Sequence, residues 1–452
     1  MILENLRTVV LGLGISGESA AEMCARNGAQ VTVYDRRTAP HFETSITRLN
    51  RYGVTFTFGA DDYDLNGHHL VVRSPGIPAH HPVLLKAKAA SIPVWSEIEL
   101  AGRLTPCPIV AVTGTNGKGT TSELISRMHT ADGRTTALAG NMGIPLAGAI
   151  NTLSPRNLLV LEVSAGQLEN TKTFAPQVAV ITNIRPEHNN LYSWPTYLEL
   201  KSRIVRNHDS DSWTIAPIHD LGARQVTANA RGNIVYTSAN GSLPRGVEGV
   251  YLTKNQLIAR LGGHERAIMN RGSLKAPGTL PSVITAAAAA IASGAPDAAV
   301  QTAASTFNGR EHTLEFVTSR NKITFINDAK STNPWSLLHA INSFPNRPVM
   351  LIAGGDDTKQ TDFTAVANGN LGPLSRAVLF GNSSTDLAAA LSHRLPPADI
   401  TVVDQFLEAI TMAGHQARSG DVVIYSPGVY SPKAEPDYLT RGSLFKEFVL
   451  SL

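Results

Sequence analysis

The chain has 452 residues, enough for about three domains at roughly 150 residues each. A hydrophobic content of 42% with 17% charged residues excludes a disordered chain, and 39 basic against 36 acidic residues leave a formal charge of +3, too little for a dedicated nucleic-acid binder. Its two cysteines, Cys24 and Cys107, cannot build a disulfide framework or a four-cysteine zinc site, and no apolar run approaches the roughly 18–20 residues of a membrane helix. Thr8-Val9-Val10-Leu11, Val31-Thr32-Val33-Tyr34 and Leu70-Val71-Val72 are short β-branched runs separated by stretches that can form helices, so the chain opens with a parallel α/β unit. Two prolines in residues 103–108 disfavour helix and sheet and place a linker there.

A second unit starts at Ile109-Val110-Ala111-Val112 and continues through Leu158-Leu159-Val160-Leu161 and Val178-Ala179-Val180-Ile181. Residues 213–272 turn strand-rich, with Ile234-Val235-Tyr236 and Val250-Tyr251-Leu252 between Gly and Asn turns. A helix is predicted over residues 282–293, because the alanine tract 286–290 favours helix. The pattern then resets into five strands beginning near Ile323, Val349, Ala377, Ile400 and Val422. Three α/β domains are therefore predicted, a Rossmann-like one at 1–105, a P-loop-type ATPase domain at 106–308 and a second Rossmann-like one at 309–452.

Two glycine-rich turns follow strands. Gly12-Leu13-Gly14-Ile15-Ser16-Gly17 has the strand-before, helix-after setting of a dinucleotide turn, with Asp35 ending the next strand. Read by itself it serves either a nucleotide or close helix packing. Thr113-Gly114-Thr115-Asn116-Gly117-Lys118-Gly119-Thr120-Thr121 departs from the strict G-x-x-x-x-G-K-[ST] form: Val112 replaces the first glycine and Gly119 separates the lysine from Thr120. Its logic still holds, with backbone amides as an anion nest, Lys118 for the β/γ-phosphates and Thr120 or Thr121 for magnesium. Glu162 ends a buried strand, where an unpaired carboxylate is costly, so a metal or a lysine should face it unless it forms a structural ion pair. By pattern alone Lys201 is a solvated helix lysine, His188 a structural histidine, and Asp328 with Lys330 a surface ion pair.

Residues 113–121 resemble the ATP loop of the Mur ligases and the related folylpolyglutamate synthases. Further blocks follow in the family's order: Gly140-Asn141-Met142-Gly143, Glu162-Val163-Ser164-Ala165-Gly166-Gln167-Leu168-Glu169, residues 183–188, Asn327-Asp328-Ala329-Lys330-Ser331, and Gly354-Gly355 leading to Lys359. The resemblance covers the whole chain. It is strongest to the D-glutamate-adding members, through the first glycine turn, Ser74-Pro75-Gly76-Ile77, Ser426-Pro427-Gly428-Val429-Tyr430-Ser431 and Arg441-Gly442-Ser443-Leu444-Phe445.

The resemblance implies a cytoplasmic ligase of peptidoglycan synthesis that uses ATP to join glutamate to UDP-N-acetylmuramoyl-L-alanine through an acyl phosphate and a tetrahedral intermediate. It implies that Gly14, Ser16, Asp35, Arg36 and Ser74 hold the UDP group, and that Asn141, Ser164 and Gln167 line the muramoyl path. ATP falls to Gly114, Thr115, Asn116, Gly117, Lys118, Gly119, Thr120 and Asp328. Two magnesium ions fall to Thr120, Glu162, His188 and a carbamylated Lys201, while Lys118, His188, Lys201 and Lys330 act in catalysis. Lys359, Ser431 and Tyr438 receive the glutamate, in a third domain that closes over the site. A monomer acting on small molecules, with no nucleic-acid or membrane partner, is expected.

The chain also departs from the family pattern. Residues 278–284 lack the usual His-Asn and later Asn near adenine, Asn189 and Asn190 follow His188, Thr313 stands for a phosphate-binding arginine, and Lys433-Ala434-Glu435 replaces Asp-Gln-Phe. A sister ligase for another amino acid, such as L-glutamate, and a catalytically inactive nucleotide-binding regulator are the alternatives.

Overall fold

The computed structural model describes residues 3–60, 62–141, 143–187, 191–274, 277–358, 360–431 and 437–452. They form three sheets with helices packed against them.

The first sheet contains β1 (Arg7–Leu11), β2 (Gln30–Asp35), β3 (Thr55–Phe58), β4 (Leu70–Arg73) and β5 (Val94–Ser96). Its order is β3-β2-β1-β4-β5, all parallel. The strand order reverses between β1 and β4, and the crevice beyond the carboxyl ends at such a switch point is where open α/β sheets take ligands.

The second sheet contains β6 (Ile109–Thr113), β7 (Thr136–Gly140), β8 (Leu158–Glu162), β9 (Val178–Ile181), β10 (Trp213–Pro217), β11 (Asn233–Ser238), β12 (Gly249–Leu252), β13 (Gln256–Leu261) and β14 (His264–Asn270). In order β14-β13-β12-β11-β10-β9-β6-β8-β7, its strands are parallel from β7 to β12, and β13 and β14 add an antiparallel edge. β6 lies between β8 and β9, so the glycine loop after it opens at this sheet's switch point. The helix Leu280–Ala292 buries Ala286 to Ala290 completely, which small side chains permit.

The third sheet contains β15 (Glu315–Arg320), β16 (Ile323–Asn327), β17 (Val349–Gly354), β18 (Leu374–Phe380), β19 (Ile400–Val403) and β20 (Val422–Tyr425), in order β15-β16-β20-β17-β18-β19. Only β15 is antiparallel. Apolar clusters cover both faces, one around Leu337, Leu351 and Leu379 and one around Ile352, Phe406 and Phe445.

By contacts the chain forms two compact units. One comprises Met1–Ile184, Tyr192–Arg271 and Ser282–Ala304; the other comprises Arg185–Leu191, Gly272–Pro281 and Ser305–Leu452. The first unit joins two sheets because one continuous apolar core runs from Val10 and Val33 through Ile98, Leu100 and Leu146 to Ala111 and Leu161. Polar contacts fasten the same joint. The Glu99 carboxylate accepts the backbone N–H groups of Lys172, Thr173 and Phe174 at 2.8–3.0 Å, and the Ser96 N–H donates to the Asn170 carbonyl at 3.1 Å.

Candidate active site

A cavity of about 670 Å³ opens at the switch point of the first sheet, and Gly14, Ser16, Asp35, Arg36 and Ser74 all line it. Gly12 sits at φ +91°, and a Cβ on Gly17 would lie 1.9 Å from the Gly12 carbonyl, so the tight turn needs both glycines. The Ser74 hydroxyl donates to that carbonyl at 2.8 Å and pins the turn from β4. A Cβ on Gly14 would meet nothing within 4 Å, so the helix N-terminus at Ile15 presents open backbone, as close approach of a phosphate requires. Asp35 is already engaged: it accepts the Leu13 N–H at 2.8 Å, the Arg37 N–H at 2.9 Å and the Arg37 guanidinium at 2.9 and 3.1 Å. Burial alone would raise its carboxyl; these donors outweigh burial and hold it below the usual range. Arg37 thus joins Arg36 on the cavity wall, with its guanidinium 4.5 Å from the Phe42 ring centroid. The sequence reading missed Arg37, although it follows an acid at a strand end.

The second centre is the loop after β6. Gly114 adopts φ +145°, and a Cβ there would lie 1.9 Å from Thr182 Oγ1. Gly117 at φ +79° caps the helix Lys118–Ala131. Thr115 N–H donates to the Asn183 carbonyl at 2.8 Å, and Asn116 exchanges hydrogen bonds with the Asn183 side chain at 2.9 and 3.0 Å. Asn183, read only as part of a motif block, is therefore the brace of the loop. The Lys118 ammonium bends back onto the Gly114 and Thr115 carbonyls at 3.1 and 2.8 Å.

Lys201, one residue from the end of the helix Trp194–Ser202, is only 2% exposed, which overturns the solvated-lysine reading of the bare pattern. Its ammonium donates to Thr113 Oγ1 at 2.9 Å and the Gly114 carbonyl at 3.0 Å, at the root of the same loop. The Tyr197 hydroxyl, one helical turn earlier, lies 3.2 Å from Thr115 Oγ1. Glu162 pairs in register with Val112, and its Oε1 accepts the Asn141 amide at 2.9 Å. Ser164 and Gln167 close a reciprocal capping box on the helix Ala165–Leu168. The first unit thus supplies Lys118 and Thr120 from the helix after β6, Asn141 from the turn after β7, Glu162 from the end of β8 and Lys201 from the helix Trp194–Ser202. His188 lies outside the described residues.

Hard oxygen donors surround this loop: the Glu162 carboxylate, the buried Thr120 side chain, and Thr121 Oγ1, which is buried with no hydrogen-bond partner among the described residues. No cluster of three or more His, Cys, Asp or Glu suited to a metal occurs among the described residues. The donor set fits magnesium, which takes one or two carboxylates and completes its shell with phosphate oxygens and water.

In the second unit, the ends of β16, β17 and β20 bring a further group together. Asp328 accepts the Leu314 N–H at 3.0 Å and the Ser426 hydroxyl at 2.9 Å, and burial pushes its carboxyl up to about 7. Lys330 is half-buried, and its N–H donates to the His312 carbonyl at 3.1 Å. The His312 ring stands edge-on to Tyr438 with centroids 6.4 Å apart, and both His312 and Leu314 hold positive φ. Ser431 Oγ is buried and makes no hydrogen bond among the described residues. It lies 2.9 Å from where a Cβ on Gly355 would stand, and Arg441 Nη1 lies 3.4 Å from that same point. Arg441 belongs to the block Arg441-Gly442-Ser443-Leu444-Phe445, and its burial beside Ser431 marks it as part of this group. Lys359 lies outside the described residues.

Three family models match in chain order: the Mur ligase MurD-like N-terminal domain over residues 6–96, the Mur ligase middle domain over 112–255 and the Mur ligase glutamate ligase domain over 313–428. The UDP-N-acetylmuramoylalanine–D-glutamate ligase of Pelotomaculum thermopropionicum is 33% identical over 450 residues, covering 99% of this chain and 98% of the relative. The chain belongs to the Mur ligase family. The enzyme of the same name from Caldanaerobacter subterraneus is 32% identical over the full length of both chains. Among solved structures, the UDP-N-acetylmuramate–alanine ligase of Thermotoga maritima aligns with a TM-score of 0.57 at 18% identity, covering 99% of this chain and 100% of its own. A pseudomurein peptide ligase type C from Methanothermus fervidus gives 0.58 at 17%, covering 98% and 100%. At those identities the likeness speaks for the fold, and the three-sheet α/β architecture of this Mur ligase is the one the sequence predicted. No helix among its described residues is long and apolar enough to cross a membrane.

Proposed function

We infer that this Mur ligase is an ATP-dependent, ADP-forming acid–amino-acid ligase that adds D-glutamate to UDP-N-acetylmuramoyl-L-alanine in peptidoglycan synthesis. The observation that carries the reading is a lysine-bearing phosphate loop with a second, buried lysine at its root, in a chain similar end to end to ligases of that name. It acts in the cytoplasm, as a monomer, on small molecules alone.

The cavity of the first sheet takes the uridine diphosphate, with Gly14 and Ser16 at the helix N-terminus for the phosphates and Asp35 and Arg36 at the uridine end. Ser74 closes the turn beneath them. Asn141, Ser164 and Gln167 lead the muramoyl-alanine toward the phosphate loop. There the amides of residues 114–119 and Lys118 hold the ATP phosphates. Thr120, Glu162, His188 and, once carbamylated, Lys201 would hold magnesium, which would offset phosphate charge and polarise the phosphoryl group.

The alanyl carboxylate oxygen attacks the γ-phosphorus and ADP departs. The glutamate amine then adds to the acyl carbonyl, and the tetrahedral intermediate expels phosphate as the amine proton is lost. Lys118 and Lys330 stabilise the charge that builds on phosphoryl and carbonyl oxygens. Lys359, Ser431 and Tyr438 orient the glutamate. Water must be kept from the acyl phosphate, whose hydrolysis would uncouple ATP use from amide formation.

Carbamylation suits Lys201. Its neutral amine adds carbon dioxide and loses a proton, which turns a buried cation into an anionic oxygen donor. An acceptor labelled with ¹⁸O in the alanyl carboxylate tests the acyl phosphate. One labelled oxygen should leave in the released phosphate; unlabelled phosphate would refute that intermediate.

A further inference from the structure

The acceptor has two ends, a nucleotide and a reacting carboxylate, and the first unit holds them on different sheets. Arg73 is the last residue of β4, 6% exposed, and immediately precedes Ser74. Its Nε and Nη2 donate to the Ile77 carbonyl at 2.8 and 2.5 Å. Ile77 lines the nucleotide cavity and its side chain packs on Gly12, 3.0 Å from where a Cβ would stand. The remaining nitrogen, Nη1, crosses to the other sheet's layer. It donates to Glu169 Oε2 at 2.6 Å and to Asn170 Oδ1 at 2.8 Å, directly behind the helix that carries Ser164 and Gln167. One rigid, planar cation therefore ties the cavity wall to the base of the acceptor path. Arg203 grips the far side of that base, donating to the Leu168 carbonyl at 3.4 Å and to the Glu169 carbonyl, two residues beyond Lys201.

We propose that Arg73 is a positioning residue that fixes the spacing between the nucleotide cavity and the reaction centre, so that a substrate anchored by its UDP group presents its carboxylate at the phosphate loop. Arg73 touches neither end of the substrate. Its effect is confined to ligands that bridge both, because a ligand held at one end alone gains nothing from the spacing. The proposal rests on the reading of the cavity as the UDP site.

The test compares UDP alone with the full acceptor. In Arg73→Met, kcat/KM for UDP-N-acetylmuramoyl-L-alanine should fall about tenfold, equivalent to ~1.4 kcal/mol, while the Kd of UDP by calorimetry and the KM for ATP stay within about twofold. Arg73→Lys, which reaches one partner at a time, should recover part of the loss. Asn170→Ala removes one contact without stranding a buried charge, so it should show the same selective pattern more weakly even where the methionine variant folds poorly. Equal loss of UDP affinity would overturn the proposal by confining Arg73 to the cavity. A parallel change in the KM for ATP would mark general damage, and unchanged kcat/KM would remove any role. Failure of the wild-type protein to bind UDP would instead refute the cavity assignment.

Discussion

Lys201 shows how much one side chain's surroundings decide. On a helical wheel it is an ordinary charged residue, yet its ammonium is buried against Thr113 Oγ1 and the Gly114 carbonyl, beneath the phosphate loop. It also stands over the Tyr197 ring, 5.4 Å from the centroid. Conversion to a carbamate would reverse its charge beside a magnesium site. Lys201→Ala should therefore abolish phosphate release, and acetate at millimolar concentration should restore part of it by supplying the missing carboxylate; a fully active variant would rule out an essential carbamate. At the same scale Asp35, which lines the nucleotide cavity, also accepts hydrogen bonds from Leu13 and Arg37. No sequence pattern distinguishes a carboxylate that touches a ligand from one that orders the residues that do.

At the scale of elements, the phosphate loop and the joint between the first two sheets carry the sharpest constraints. Gly114 combines φ +145° with a Cβ position 1.9 Å from Thr182 Oγ1. Gly114→Ala therefore meets both backbone strain and a clash, and should lose at least ~2 kcal/mol of stability together with ATP-dependent turnover. A thermal midpoint equal to that of the wild type would contradict it.

The Glu99 carboxylate makes a different prediction. Burial would raise it, but the Lys172 and Thr173 backbone N–H groups, the Thr173 hydroxyl and Arg103 outweigh burial and hold it below the usual range. A depressed carboxyl contributes stability above its unfolded value, and that stability is lost as pH falls through the folded one. Glu99→Gln should cost about 2 kcal/mol at pH 7 and flatten the acid limb of the stability curve below about pH 4. An unchanged acid limb would remove Glu99 from the joint. The elements differ in how visible they are beforehand. β6, β8 and β9 are continuous apolar runs and stand out, whereas β7, Thr136–Gly140, is an alanine- and glycine-bearing edge strand with no period-two signal. Its place follows from pairing with β8, a long-range choice that local sequence does not encode.

Across the whole molecule, division into three α/β sheets follows from length and strand spacing, but the merging of two sheets into one compact unit does not. That merging depends on the shared core around Ile98 and Leu146 and on the Arg73 and Glu99 contacts, which join residues 73 to 97 positions apart. The chemistry was legible wherever it is local, as in the phosphate loop. It was not legible where it arises from convergence, as when Ser431, Gly355 and Arg441 meet beyond the ends of β17 and β20. The choice of amino acid rests on that convergence and on a chain with departures at Thr313 and Asn190. The most direct test is phosphate release by the purified full-length protein with ATP, magnesium and UDP-N-acetylmuramoyl-L-alanine, against D-glutamate, L-glutamate and other amino acids in turn. D-glutamate alone should drive release, with one amide formed per phosphate; equal release with L-glutamate, or none with any amino acid, would contradict the assignment.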